Sequence, residues 1–235
     1  MSLITAVYVP TGVVISGDSR TTGTLSRQAA QPTAQNPSAT VTVKTPIVLS
    51  DSAHKVFLAF ARFGVGTVGA AIVNDMPIAH YVEAFQASQA GQEPQSVQQC
   101  ADALLSYFRA LSPMPETSFL VGGYDGPDPW VLDVSVVKNS TKRWNADPKT
   151  GKVGYGIVRA GDTAIVNRLL SQKEFNPSFN TMNLQDAVDY SRHLIRTTID
   201  QMKYEPRFPT VGGPIDTLVL TSADSRFLAR KDLYC

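Results

Sequence analysis

The chain has 235 residues, of which 43% are hydrophobic and 17% charged, enough apolar material for one sizeable core and too little charge for a disordered protein. The formal net charge is +1, and no Lys/Arg run with interleaved aromatics occurs, so nucleic-acid binding is not expected. No segment approaches the ~18 consecutive apolar residues of a membrane span.

In chain order, residues 4–9 and 12–17 are β-rich runs joined at Pro10-Thr11-Gly12, which reads as a tight hairpin. This apolar start alternates like a strand and lacks a basic leader and a small-residue cleavage site, so no signal peptide is expected. Asp18-Ser19-Arg20 closes the second strand. Residues 21–52 are rich in Thr, Gln, Ala, Pro and Ser and predict a long surface excursion, with 41–48 returning as strand. Residues 55–60 form a short strand.

Residues 64–69 then predict a glycine-rich turn opening a helix that runs toward Ser88, bent or restarted at Pro77. A second helix covers 95–111, with Val97, Ala101, Leu104, Leu105 and Phe108 at helical spacing, and stops at Ser112-Pro113. Strands at 118–122 and 130–136 flank the turn Asp125-Gly126-Pro127. Another strand covers 154–159, and Asp162 caps a helix to about Leu170.

The clearest helix spans 184–202, where Leu184, Val188, Leu194, Ile195, Ile199 and Met202 recur near a 3.6 period. Strands at 217–221 and 227–230 end the series. Hairpin strands with grouped helices predict an α+β fold of antiparallel sheets with helices outside, in one domain over 1–235. The two cysteines, Cys100 and Cys235, are far apart, one in a helical pattern and one at the last position. Neither a disulfide framework nor a zinc site is expected, and a reducing cytoplasm fits.

Four stretches in this order resemble the proteasome β-subunit family of N-terminal nucleophile (Ntn) hydrolases and its bacterial relatives. They are TAVYVPTGVVISGDSR, HKVFLAF, GVGTVG, and LVGGYDG followed by WVLDVS. The resemblance covers most of the chain outside residues 21–50. It implies a four-layer αββα sandwich of two antiparallel sheets flanked by helices. With Asp18 set on the family's acidic strand end, the nucleophile falls on Ser2, exposed when Met1 is removed. With Lys55 on its catalytic lysine, the oxyanion-hole glycine falls on Gly69 without a gap.

What the resemblance implies chemically is a self-contained nucleophile and base. The Ser2 hydroxyl attacks a carbonyl while its own α-amine takes the proton. An α-amine titrates near 7.7–8.0, suited to a base at neutral pH. Lys55 would lower that pKa and help the hydroxyl ionise, Asp18 would hold Lys55, and the Gly69 N–H would stabilise the oxyanion. Thr67, Val68 and Arg20 are the expected substrate-binding residues, with a small-to-medium apolar pocket. The expected substrate is a peptide or amide, with no metal or organic cofactor. Homo-oligomeric rings or stacked rings are expected, with an ATPase unfoldase as a candidate partner.

The chain departs from the family at three points. Serine replaces the usual threonine, Ala160-Gly161-Asp162 stands at the later Ser-Gly turn, and Thr210-Val211-Gly212-Gly213-Pro214 stands at the Asp-x-x-Ser-Gly-Gly element. Two other readings therefore stay open: a non-catalytic scaffold or assembly subunit, and an Ntn acyl transferase or ligase. Residues 64–69 also match G-x-G-x-x-G, but the acidic residue near the required spacing, Glu83, lies in a helical pattern with no strand before it, which disfavours dinucleotide binding. His54, His80 and His193 have no metal spacing; His54 adjoins Lys55, within reach of the rim of the expected site, but a solvated role is favoured. Trp130 and Trp144 read as core and loop packing.

Overall fold

A computed structural model describes residues 2–31 and 39–231. Met1, Cys235 and the centre of the expected surface excursion lie outside the described residues. The elements are β1 (Leu3–Val9), β2 (Gly12–Gly17), β3 (Thr21–Ala30), β4 (Thr40–Ser50), β5 (Val56–Ala59), β6 (Phe63–Gly69), β7 (Ile72–Val73) and β8 (Met76–Pro77). They continue with α1 (Ile78–Ser88), α2 (Val97–Arg109), β9 (Thr117–Asp125), β10 (Asp128–Ser135), β11 (Ser140–Arg143), β12 (Gly156–Gly161), α3 (Ala164–Leu169), α4 (Leu184–Met202), β13 (Asp216–Leu220) and β14 (Ser225–Ala229). The fold is mixed α and β, with four α-helices and several antiparallel sheets among the described residues.

One five-stranded sheet runs β12-β1-β2-β13-β14 and the other β11-β10-β9-β6-β5. Strand periodicity explains what each face touches. Ile4, Ala6 and Tyr8 of β1 share a cluster with Ile15 and Leu218 and, from the other sheet, Val56, Leu120 and Val131. The alternate residues Leu3, Val7 and Val9 pack instead with Ile165, Val188 and Leu194 of the C-terminal helices. Every residue of β1 and β2 is therefore buried, as expected for strands covered on both faces. On the outer face of the second sheet, Phe63 and Phe119 meet Phe85, Leu104 and Phe108 of α1 and α2. Each such side chain contributes roughly 1.5–3 kcal/mol by leaving water.

The helix over 184–202 has the bounds its periodicity predicts. Its first turn is held by a capping box in which Asn183 accepts from Asp186 N at 2.9 Å, while Asp186 Oδ2 accepts from Asn183 N. Serine and threonine also join this helix to the sheet, with Thr5 Oγ1 and Ser191 Oγ 2.8 Å apart.

The glycine-rich turn requires correction. Residues 64–69 belong to β6, a central strand paired with β5 and β9, and do not open a helix. The β7–β8 hairpin intervenes, and α1 begins at Ile78 with Pro77 as its N-cap, so Pro77 neither bends nor restarts a helix. The glycines instead admit the facing sheet. A Cβ on Gly64 would meet Ile15 Cδ1 at 2.8 Å, and one on Gly66 would meet Ile4 Cγ2 at 2.6 Å. Asp162 is likewise not the cap of α3: Thr163 holds that position.

The surface excursion is an ordered ribbon over its described length. β3 and β4 pair from Thr21↔Ser50 out to Ala30↔Thr40, so β4 extends the expected return strand in both directions. Most of the ribbon is exposed, but its root at Thr21 is buried. No helix among the described residues is long and apolar enough to cross a membrane.

Candidate active site

The β1–β2 hairpin brings the chain start and the acidic strand end together. Its register pairs Ile4 with Gly17, which sets Leu3 beside Asp18. Asp18 N donates to the Leu3 carbonyl at 3.2 Å, and Leu3 N donates to Asp18 Oδ1 at 2.9 Å. On the other side, β12 pairs with β1 so that Asp162 N donates to the Ser2 carbonyl at 2.7 Å. Ser2 is buried, with 5% of its surface exposed.

Asp18 is a hub. Its Oδ1 also accepts from Lys55 Nζ at 2.9 Å, and its Oδ2 accepts from Gly212 N at 3.0 Å and Arg20 N at 3.1 Å. Lys55 Nζ donates further to the Arg20 carbonyl. Both side chains of this ion pair are inaccessible, at 4% and 0%. Burial pushes the Lys55 ammonium below the ordinary lysine range, while the charge and hydrogen bond of Asp18 oppose that shift. Four donors on one carboxylate fix both residues in a place where an unpaired charge would be costly.

Gly69 ends β6. Thr67 N donates to the Lys55 carbonyl at 2.9 Å, and strand alternation turns the Gly69 N–H to the same side, beyond the end of β5. Ser2, Lys55, Thr67, Val68 and Gly69 line one cleft of about 340 Å³. The backbone of Gly69 has φ 103°, and a Cβ there would lie 2.3 Å from the Glu116 carbonyl oxygen. Only glycine satisfies both conditions. Thr117 Oγ1 donates to the Val68 carbonyl at 2.8 Å, which ties this strand end to β9. α1 begins nine residues after Gly69, behind the β7–β8 hairpin, and its first residues Ile78 and Ala79 line the same cleft.

Of the seven residues read from the sequence as catalytic or substrate-binding, six line this arrangement: Ser2, Lys55, Thr67, Val68 and Gly69 in the cleft wall, and Asp18 behind Lys55. Arg20 stands apart. Its guanidinium donates to both oxygens of Asp51, at 2.7 and 2.8 Å, and to the Pro209 carbonyl at 3.2 Å. Only its main chain reaches the site, through the carbonyl that Lys55 holds and the N–H that Asp18 accepts.

Several residues outside the predicted catalytic and substrate-binding set also stand at the site. Asp162 is buried beside the Ser2 carbonyl, and its Oδ2 accepts from Thr210 Oγ1 at 2.7 Å and from Arg207 at 2.6 Å. Burial alone would raise its pKa, but these hydrogen bonds and the guanidinium charge hold it below the ordinary carboxylate range. The ribbon root contributes Thr21, Leu49 and Ser50 to the cleft wall. His54 is half-buried rather than solvated, and its Nδ1 is shut off from water with no hydrogen-bond partner among the described residues. Burial, with Lys231 and Arg230 nearby, lowers its pKa and favours the neutral ring.

Among the described residues no group of three or more His, Cys, Asp and Glu side chains could hold a metal ion. No protein-family model matches the chain, and no curated protein matches it.

Proposed function

We propose that the chain is an Ntn amidohydrolase, a proteasome-like peptidase in which Ser2 becomes the terminal residue after Met1 is removed. The observation that carries this reading is that Lys55, held in a buried ion pair with Asp18, lines the same cleft as Ser2 and the Gly69 end of β6. An ion pair serving stability alone has no need to reach the wall of a cleft, and perturbed buried charges cluster at functional sites. The layer order, helices outside two facing sheets, also supports the αββα sandwich of that family.

In this mechanism the Ser2 Oγ attacks the scissile carbonyl carbon and its proton passes to the α-amine, directly or through water. The Lys55 charge favours the ionised oxygen, and the Gly69 N–H receives the developing oxyanion, a role worth roughly 2.7–4 kcal/mol for one donor. Collapse breaks the C–N bond, and the ammonium returns its proton to the leaving amine. Water then attacks the Ser2 ester, giving the carboxylic acid and restoring the hydroxyl. The chemistry uses no cofactor. Assembly into rings and a cytoplasmic setting belong to the same proposal.

One observation favours the rival reading of a scaffold that kept the fold. Asp162, whose main-chain N–H holds the Ser2 carbonyl, has its carboxylate committed to Arg207 and Thr210, and Val211 offers no hydroxyl to orient an amine. Intact mass of the protein made from its own start codon, followed by labelling with a peptide electrophile, separates the two. Loss of one methionine and a single adduct on Ser2 support the enzyme. A retained or acetylated Met1 removes nucleophile and base together and leaves the scaffold.

A further inference from the structure

The β3–β4 ribbon is a sheet of two strands, and such a sheet is marginal in water unless another element covers one of its faces. Its register sorts the side chains, because residues paired across an antiparallel ladder share a face. Gly23↔Ile47, Leu25↔Thr45, Arg27↔Val43 and Ala29↔Val41 lie on one face. Leu49 covers Gly23 there, since a Cβ on Gly23 would meet Leu49 Cδ1 at 2.8 Å. Thr24↔Pro46, Ser26↔Lys44 and Gln28↔Thr42 lie on the other. One face is thus largely aliphatic and the other polar. Among the described residues nothing covers the outer part of the aliphatic face, where Leu25 is 55% exposed and Val41 41%.

A second exposed apolar surface lies at the rim of the cleft. The β7–β8 hairpin presents Ile72 and Met76, and the 112–116 segment presents Met114. Asn74 Nδ2 donates to the Ser112 carbonyl at 3.1 Å and Ala70 N to the Glu116 carbonyl at 2.9 Å, which joins the two segments. The charges of ribbon and rim are opposite. The described ribbon carries Arg27 and Lys44 and no carboxylate, whereas residues 70–77 and 112–116 carry Asp75 and Glu116 and no lysine or arginine. All four side chains are exposed, and none has an ion pair or side-chain hydrogen bond among the described residues.

We propose that the aliphatic face of the ribbon is an assembly arm, which docks on the rim formed by the β7–β8 hairpin and residues 112–116 of a second copy of this chain. Arg27 opposes the packing of two arms face to face, since a two-fold contact sets like charges together. The rim instead offers the carboxylates of Asp75 and Glu116 beside aliphatic side chains, and docking takes exposed apolar surface out of water on both copies. Arm and rim are different patches, so each copy gives one and receives one. The contact is therefore head-to-tail, and it closes into a ring or runs on as a filament. It gives the proposed ring a contact surface and does not depend on the chemistry at Ser2. Ile72 and Asp75 also line the cleft, so a docked arm stands at the entrance of its neighbour's site. So few side chains make a contact of the weak class, on the order of micromolar, which forms in concentrated protein and leaves the dilute chain to melt on its own.

Sedimentation equilibrium over a concentration series tests the contact with two variants of the full chain. One alters the arm, Leu25→Thr with Arg27→Thr and Val41→Thr, keeping β-branched residues in the strands. The other alters the rim, Met76→Arg with Met114→Arg. The substituted side chains are exposed, and near-ultraviolet circular dichroism matching the parent shows that each variant is folded before use. The unaltered protein should pass beyond a dimer as concentration rises, less readily in added salt, and each variant alone should stay monomeric. An equal mixture should reach a one-to-one dimer and stop, because one variant keeps only the rim and the other only the arm. An unaltered protein that stays monomeric, a variant that associates as the parent does, or a mixture that stays monomeric overturns the proposal. The readout is mass rather than turnover, so assembly through the arm by a chain that cleaves no amide supports this contact and ends the peptidase reading.

Discussion

A Cβ atom added to Gly161 would lie 1.8 Å from the carbonyl oxygen of Ser2, closer than any non-bonded carbon and oxygen can approach. Gly161 also has φ 94°, in the region that favours glycine. The residue that anchors Ser2 is thus the one after it, Asp162, reached only because Gly161 has no side chain. Gly161→Ala should therefore displace Ser2 and lower peptidase activity by an order of magnitude or more, with a loss of about 1–3 kcal/mol for the strained backbone. Chemical denaturation alongside peptide turnover measures both.

Ser2→Ala should abolish turnover and electrophile labelling while leaving the melting temperature within a few degrees of the parent, since a small buried side chain is exchanged for one of similar size. Unchanged turnover in this variant would refute the role of Ser2.

Lys55→Ala should cost activity by orders of magnitude and stability by about 3 kcal/mol, toward the low end for breaking a buried pair. The low end is expected because Asp18 keeps three backbone donors, from Leu3, Arg20 and Gly212. Near-normal rates would return Lys55 to a purely structural role.

Asp162 gives a pH signature. Its folded-state pKa lies below the ordinary 3.8, so its contribution is present above that value and lost as pH falls through the lower, folded value. Asp162→Asn should be less stable than the parent near neutral pH, where Arg207 loses its carboxylate, and should show a flatter fall in stability between about pH 5 and pH 3. Urea midpoints across that range check the slope.

The ribbon offers a deletion. Beyond Leu25↔Thr45 its strands pair chiefly with each other and are largely exposed. Joining Leu25 to Thr45 through a two-residue Asn-Gly turn should leave the melting temperature nearly unchanged, because little apolar surface is uncovered. A deeper cut that removes Leu49 should alter substrate binding, since Leu49 lines the cleft.

By itself the sequence determined the local elements whose signals are local. The hairpin at Pro10-Thr11, the helix over 184–202 and the turn at Asp125-Gly126 are legible because turn chemistry and 3.6 periodicity act over a few residues. It also marked Ser2, Asp18, Lys55 and Gly69, through a resemblance of motif order rather than through any contact. Residues 64–69 misled it, because glycines that make room for Ile4 and Ile15 look, in one dimension, like glycines that make a turn. Only the tertiary structure decided that Arg20 belongs to Asp51, that Asp162 holds the Ser2 carbonyl across 160 residues of chain, and that the ribbon root brings Leu49 to the same cleft as Ser2. These relations arise from sheet register and from packing between distant segments, and both are properties of pairs that no single stretch of sequence contains.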